Sequence, residues 1–188
     1  MQFRNTPDRY GAVTKSLHWT ISILIICLLC VGIYMTDFAA TAQKFTLFRL
    51  HKEFGICVLI LAVSRLLWHL YSHTPGFVAS LHAWEKAAAR VAHVYLYVGM
   101  TCMPLTGWIL SSSAGRTVSF FGFDLPNLVA PDKHIQDLCA TIHQYLGYSL
   151  IGVIGLHVAG ALKHHFIDHD ITLKRMLPFG MKAEEKKP

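Results

Sequence analysis

Four apolar stretches of membrane length constrain what this chain can fold into. They cover residues 17–38, 51–70, 91–110 and 142–167. A helix needs about 20 apolar residues to cross the hydrocarbon core of a bilayer. Because backbone groups inside a bilayer must be paired within the segment itself, continuous runs of this length favour helices. We therefore expect an all-α membrane protein, a four-helix transmembrane bundle that forms a single domain over residues 1–188.

The composition supports this fold class and excludes several functions. Only 15% of the residues are charged, against about a quarter in soluble domains. The net charge of +6 comes from Lys and Arg scattered at the ends of apolar runs, so no continuous basic face for nucleic acid is expected. The five cysteines lack the spacing of a zinc site or of covalent haem attachment, and we interpret them as buried thiols.

The connecting segments carry weaker signals. An amphipathic helix is expected at about 81–90, and the long loop 111–132 should lie outside the membrane with its aromatic side chains at the interface. Asp132 is a good helix N-cap. Ala40-Thr41-Ala42 is similar to a signal-peptidase site, but the apolar run before it exceeds the usual 7 to 15 residues, so we interpret that run as a retained span.

The distribution of basic residues predicts the orientation. The N-terminus, the second connection and the C-terminal segment hold twelve of the seventeen Lys and Arg, and the first and third connections hold five. Cytoplasmic segments of membrane proteins carry the excess of positive charge. Both termini are therefore expected in the cytosol.

Histidines inside the apolar runs are the strongest functional signal. His143 and His157 are fourteen residues apart in the fourth run, which places them about 21 Å apart and about 40° apart around one helix. Histidine within a membrane segment is costly and usually faces a partner, a cavity or a cofactor. One helix thus presents two histidines at two depths.

The predicted orientation assigns each of these histidines a partner. His51 should face His143 at the outer level, and His18 should face His157 at the inner level. Two imidazoles on facing helices are typical of a six-coordinate haem b, so we expect two haems b with these four iron ligands. His69 and His93 lie at the inner depth, and either is an alternative to His18.

Small and basic residues near these histidines leave two interpretations open. Gly55, Gly147 and Gly160 follow ligand candidates by about one turn, and they either admit a porphyrin to the helix backbone or serve helix packing. Arg65 is either a cation that reaches the interface or a partner for an inner haem propionate.

Several of these motifs resemble the bacterial cytochrome b561 family, over about residues 9–178 with only the loop 111–132 unmatched. The matching motifs are Ser16-Leu17-His18-Trp19, His51-Lys52 with Gly55, Arg65-Leu66, Leu156-His157, Ala161-Leu162-Lys163-His164-His165 and the segment from Asp170 to Pro178. The resemblance implies four helices and two haems b, with His18, His51, His143 and His157 as ligands. It also implies similarity to a superoxide oxidase that passes electrons to ubiquinone.

The leading hypothesis is an electron-transfer protein of the bacterial inner membrane, acting between a periplasmic donor and ubiquinone. Superoxide is one candidate donor, which would make the chain a superoxide:ubiquinone oxidoreductase. Arg49, Lys52 and Arg116 are candidate attractors for an anion, although haem propionates or lipid phosphates are alternative partners for them. His164, with Lys163, is a candidate for contact with a quinone or for proton relay.

Two other hypotheses use the same residues differently. The chain could serve as a haem-bearing membrane anchor for a periplasmic partner protein or dehydrogenase, with the loop aromatics Phe120, Phe121 and Phe123 as the docking surface. A metal or proton transporter would need acidic residues along its conduit. The apolar cores of the first, third and fourth runs have none, and Glu53 lies at the edge of the second, so a transporter is the least favoured hypothesis.

Overall fold

The computed structural model describes residues 2–78 and 80–178. These residues form five helices and one small antiparallel hairpin. In chain order the elements are α1 (Ala12–Asp37), α2 (Thr41–Tyr71), α3 (Ala83–Ser113), β1 (Ser119–Phe120), β2 (Phe123–Asp124), α4 (Lys133–Phe166) and α5 (Thr172–Met176). The last three lysines used in the charge count, Lys182, Lys186 and Lys187, lie outside the described residues.

The first four helices are long and apolar enough to cross a membrane. They contain 26, 31, 31 and 34 residues, so at about 1.5 Å per residue each is longer than a hydrocarbon core of about 30 Å. Large apolar side chains are exposed along all four of them, including Phe45, Val91 and Leu156. Such a surface suits lipid and not water. The predicted four-helix membrane bundle is confirmed.

The helices extend beyond the apolar runs that mark them in the sequence. α2 begins at Thr41, ten residues before the run at 51–70, and the amphipathic segment at 81–90 is the first part of α3 and not a separate helix. Hydropathy marks only the part of a helix that faces lipid, whereas the helix continues until a cap ends it. The predicted N-cap of α4 is confirmed, because the Asp132 carboxylate accepts a hydrogen bond from the Ile135 N–H at 3.0 Å.

The helices pack in sequence order, α1 on α2, α2 on α3 and α3 on α4. Their common core contains Ile21, Ala62 and Met100, with Ile25 and Tyr97 packed against them. Ile21 lies three residues after His18 in α1, and Ala62 lies eleven residues after His51 in α2. Because α1 and α2 run in opposite directions, this core lies between the two levels of histidines. An apolar layer therefore separates the two levels.

The N-terminal segment and α5 lie at the same end of the bundle, which we call the tail end. The Trp19 indole N–H donates to the Met176 carbonyl at 2.9 Å, and the Lys15 ammonium donates to the Leu177 carbonyl at 3.0 Å. The opposite end holds β1 and β2 and is called the hairpin end. The four long helices cross the bundle alternately, so α4 ends at the tail end. α5 follows there and packs against the start of α1.

The connection between α3 and α4 folds back over α2 at the hairpin end. Phe121 packs edge-on against Phe54 of α2, with ring centres 5.9 Å apart, while Phe123 is 77% exposed. Phe121 and Gly122 form the turn with positive φ angles of 47° and 93°, a conformation that glycine adopts readily and phenylalanine does not. The contact with Phe54 offsets this cost and holds the loop near His51.

Candidate functional site

At the hairpin end the structure brings His51 of α2 and His143 of α4 together. Their ring centres are 6.3 Å apart and the rings are inclined at 71°. At the tail end, His18 of α1 and His157 of α4 are also 6.3 Å apart, with rings inclined at 63°. The pairs that the sequence suggested are therefore neighbours in space. Their role as haem ligands stays a prediction.

The separation within each pair suits an iron atom between the rings. Two metal–nitrogen bonds of about 2 Å, with the distance from each nitrogen to its ring centre, place the ring centres about 6 Å apart. A direct hydrogen bond of about 2.9 Å between the two rings would bring the centres about 1 Å closer. The value of 6.3 Å at both levels therefore fits bis-histidine coordination of a haem.

A cavity of about 540 Å³ opens beside the hairpin-end pair. His51 and His143 line it together with Gly32, Gly55 and Gly107, and most of the remaining lining is apolar. Sites for cofactors have volumes of this order and are mostly apolar with a few placed polar groups. The cavity therefore has the size and the chemistry that a haem held by this pair requires.

Glycines of neighbouring helices lie directly against the two rings at the hairpin end. A Cβ added to Gly107 of α3 would lie 3.1 Å from His143 Cε1, and one added to Gly32 of α1 would lie 3.5 Å from His51 Cε1. Sequence reasoning missed both, because their spacing from the histidines becomes visible only when the helices pack. The His143 ring therefore occupies space that a side chain at position 107 would take, whereas a Cβ at position 32 would make an ordinary contact with His51.

The three glycines noted in the sequence behave differently from one another. Gly55 lines the cavity, and a Cβ there would meet nothing within 4 Å, as at Gly160. At Gly147 a Cβ would lie 3.3 Å from the Met103 methyl group. Gly55 therefore leaves space beside His51 that a flat ligand can occupy, whereas Gly147, which also lines the cavity, packs closely against Met103 of α3.

Thr106 fixes the orientation of the His143 ring. Its hydroxyl lies 3.1 Å from His143 Nδ1 and donates to the Met103 carbonyl at 2.8 Å. Since a hydroxyl has only one hydrogen, Thr106 accepts from Nδ1–H. That tautomer leaves Nε2 with a free lone pair, the form of imidazole that binds a metal. Thr106, also missed in the sequence, prepares His143 for coordination.

The two alternatives to His18 lie near the tail-end pair in other arrangements. The His93 ring centre is 5.4 Å from that of His157, closer than a shared iron would place them. His69 contacts Thr74 Oγ1 through Nδ1 at 3.2 Å and packs near Tyr97 with ring centres 5.6 Å apart. The 6.3 Å separation is found for His18 with His157, which favours His18 as the partner.

His164 and Lys163 belong to a charged cluster at the tail end. His164 Nδ1 is 2.9 Å from Asp168 and 3.0 Å from Asp170, and the Lys163 ammonium pairs with both Glu85 and Asp168. Glu85, His164 and Asp168 come close enough together to hold a metal ion. However, the Lys163 ammonium already pairs with two of these three groups, so a cation of the protein itself offsets part of their negative charge.

The three candidate anion attractors at the hairpin end have different surroundings. Arg49 pairs with the buried Glu53, its guanidinium donating to both carboxylate oxygens at 3.0 and 3.2 Å. Lys52 and Arg116 line the cavity, and Lys52 contacts the Ser111 hydroxyl and the Thr117 carbonyl, both at 3.4 Å. The carboxylate of Glu53 thus offsets the charge of Arg49, and the positive charge at the cavity is that of Lys52 and Arg116.

Comparison with known proteins shows which family the sequence matches. A family model described as prokaryotic cytochrome b561 matches residues 9–179. The chain belongs to this family. Cytochrome b561 homolog 2 of Escherichia coli K12 is 35% identical over 94% of this chain and 95% of its own length, and cytochrome b561 homolog 1 of the same strain is 34% identical over 91% and 98%.

A third relative is the probable superoxide oxidase CybB of Yersinia pestis, 28% identical over 90% of this chain and 96% of its own length. Membership of the cytochrome b561 family makes the chain a multi-pass membrane protein that binds haem b and transfers electrons. The resemblance noted in the sequence is confirmed.

A larger side chain at position 107 tests whether the space opposite the His143 ring is needed for haem binding. Gly107→Val should push the ring from its position, because even a Cβ would lie 3.1 Å from it, and should lower the haem content per chain measured by pyridine haemochrome. Gly152→Ala is the control, since a Cβ there meets nothing within 4 Å. Full haem content in Gly107→Val would show that haem binding does not depend on the space that Gly107 leaves for the His143 ring.

The hydrogen bond between Thr106 and His143 should influence the redox potential of the haem that His143 would bind. Thr106→Val removes the hydroxyl acceptor for His143 Nδ1–H and leaves only the Met103 carbonyl nearby, which makes the ring a weaker donor to iron. We expect the midpoint potential of that haem to rise by about 30–60 mV, a three- to tenfold shift of its redox equilibrium, in a spectroelectrochemical titration. Thr101→Val is the matched control, because the Thr101 hydroxyl bonds only the Tyr97 carbonyl of its own helix. Equal shifts in both variants would rule out this role.

Proposed function

We propose that the chain holds two haems b, one between His51 and His143 and the other between His18 and His157. The observation that supports this most directly is the equal separation of 6.3 Å in both pairs. α4 contributes one histidine to each pair, and its rise of about 21 Å between them sets the two sites at different depths.

The protein is proposed to lie in the bacterial inner membrane with its tail end in the cytosol. Nine of the fourteen described Lys and Arg belong to segments on the tail side, as expected for the cytoplasmic side of an inner-membrane protein. Hydrogen bonds from Lys15 and Trp19 to the segment after α4 support placing both termini on one side. The hairpin end then faces the periplasm.

The donor is proposed to be a small anion that reaches the hairpin end, with superoxide as the leading candidate. Lys52 and Arg116 line the cavity beside the outer histidine pair. A cluster of positive charge raises the local concentration of an anion and its rate of encounter. The name of the Yersinia pestis relative, a probable superoxide oxidase, supports the same choice.

Ubiquinone is proposed as the acceptor within the membrane. Each bound haem b supplies a one-electron couple between Fe(III) and Fe(II). Two superoxide ions lose one electron each and become two dioxygen molecules, while one quinone takes up two electrons and two protons to become a quinol. His164, near Asp168 and Asp170 at the tail end, is our candidate for bringing these protons from the cytosol.

Histidine variants of the purified protein test the proposal. His143→Ala should remove one haem and abolish superoxide-driven quinone reduction, and His157→Ala should remove the other haem. His134→Ala is the control, because this exposed histidine lies in the first turn of the same helix. Two haems retained in either ligand variant would refute the assignment.

The same assay separates the leading function from its alternative. Reduction of the haems by superoxide in the isolated wild-type protein supports an oxidase. Lack of reaction with superoxide, together with a partner protein that remains bound through detergent extraction, would favour a membrane anchor instead.

The charges at the cavity should control the rate of the reaction with superoxide. Exchanging Lys52 and Arg116 for Gln should lower the second-order rate constant several-fold at low ionic strength, and the difference should shrink as salt screens the charges. Lys133→Gln removes one positive charge from the same end, where Lys133 pairs with Asp137, and should have little effect. A salt-independent rate in the wild type would contradict electrostatic attraction.

A further inference from the structure

Two arginines at the tail end have buried nitrogens without a partner. Nε of Arg65 in α2 and Nε of Arg175 in α5 are both buried and make no hydrogen bond in the described part of the chain. The Arg65 guanidinium lies 5.2 Å from the centre of the Tyr97 ring. Arg175 donates from NH1 to the Gly76 carbonyl at 2.8 Å. Each side chain is therefore held in place while its Nε lacks an acceptor.

The two guanidinium groups lie at the same end of the bundle, within electrostatic range of one hydroxyl. Both Arg65 and Arg175 act electrostatically on Tyr10, and burial raises the pKa of the Tyr10 hydroxyl while these two cations offset part of the rise. Tyr10 therefore stays a neutral hydroxyl that can donate a hydrogen bond. Arg65 also lies within electrostatic range of His18 and His157. The region is thus next to the tail-end histidine pair.

No carboxylate of the described residues pairs with either arginine. Of the acidic groups at this end, Glu85 and Asp168 pair with Lys163, and Asp8 is exposed. Asp170 accepts from the Thr172 N–H and lies 3.0 Å from His164 Nδ1. Removing an unpaired charge from water is costly, and a partly buried cation normally has an anionic partner. A ligand with two negative charges would compensate the guanidinium groups of Arg65 and Arg175 and accept hydrogen bonds from both.

We propose that Arg65 and Arg175 bind the two propionate carboxylates of the haem held by His18 and His157, with the Tyr10 hydroxyl donating to one of them. Guanidinium groups match carboxylates in geometry and form charge-assisted hydrogen bonds with them. This inference rests on the proposed inner haem. It gives α5 a role, because Arg175 reaches the site only when the tail docks on Lys15 and Trp19.

Redox-difference infrared spectra of the holoprotein test the contact directly. Growth on 5-aminolaevulinate with ¹³C at C1 labels the propionate carboxyl carbons, so the propionate bands are those that shift with the isotope. Arg65→Gln and Arg175→Gln should each move or remove these bands for one haem. Arg90→Gln is the control, because this exposed arginine lies at the same end over the Phe77 ring and should leave them unchanged.

Haem retention provides a second measurement. Loss of either arginine should speed transfer of one haem to apomyoglobin by about tenfold, the usual effect of removing a group that supports a bound metal centre. Unchanged propionate bands and unchanged transfer in both variants would overturn the inference. An effect that appears only in vesicles containing anionic lipid, without an isotope shift, would also overturn it in favour of a lipid phosphate.

The outcome can be distinguished from failure of the proposed function. If the wild type contains no haem that depends on His18 and His157, the inner site itself is refuted. If that haem is present and the two arginine variants match the wild type, only the propionate contact is refuted.

Discussion

The paired imidazoles of α4 are the interaction on which the rest of the structure depends. A histidine inside a membrane helix is costly unless it has a partner, and α4 places two of them on one face about 21 Å apart. α1 and α2 run in opposite directions, so each brings its histidine to a different level. The apolar core of Ile21, Ala62 and Met100 lies between these levels. The topology thus brings His51 to His143 and His18 to His157.

The few charges in the helices are distributed according to the same constraint. Glu53 at the hairpin end and Glu85 at the tail end are buried, and each is paired with a cation, Arg49 and Lys163 respectively. A buried charge without a partner would be strongly destabilising. Lys52 and Arg65, which form no ion pair among the described residues, lie beside the hairpin-end and the tail-end histidine pair respectively. Positive charge next to both candidate haem sites suits a cofactor with anionic side groups.

Much of this arrangement could be predicted from the sequence, because its signals depend on one helix at a time. Apolar runs predict spans from length alone, and the spacing of His143 and His157 follows from the pitch of one helix. Alternating helix direction then selects the facing histidine at each level. The boundaries were less predictable, since α2 and α3 extend through polar residues that no apolar run marks.

Contacts between two helices could not be predicted in this way, because they depend on which face each helix turns toward the other. Gly107 lies on α3 and its effect is on a ring of α4, so nothing in its sequence neighbourhood marks it as different from Gly99, which packs against Leu150. Thr106 orients His143 although 37 residues separate them. Glu53 distinguishes Arg49 already in the sequence, because the two residues are four positions apart on α2. That Lys52 and Arg116 line one cavity depends instead on how α2 packs against the loop after α3, and this packing defines the field that an anion meets.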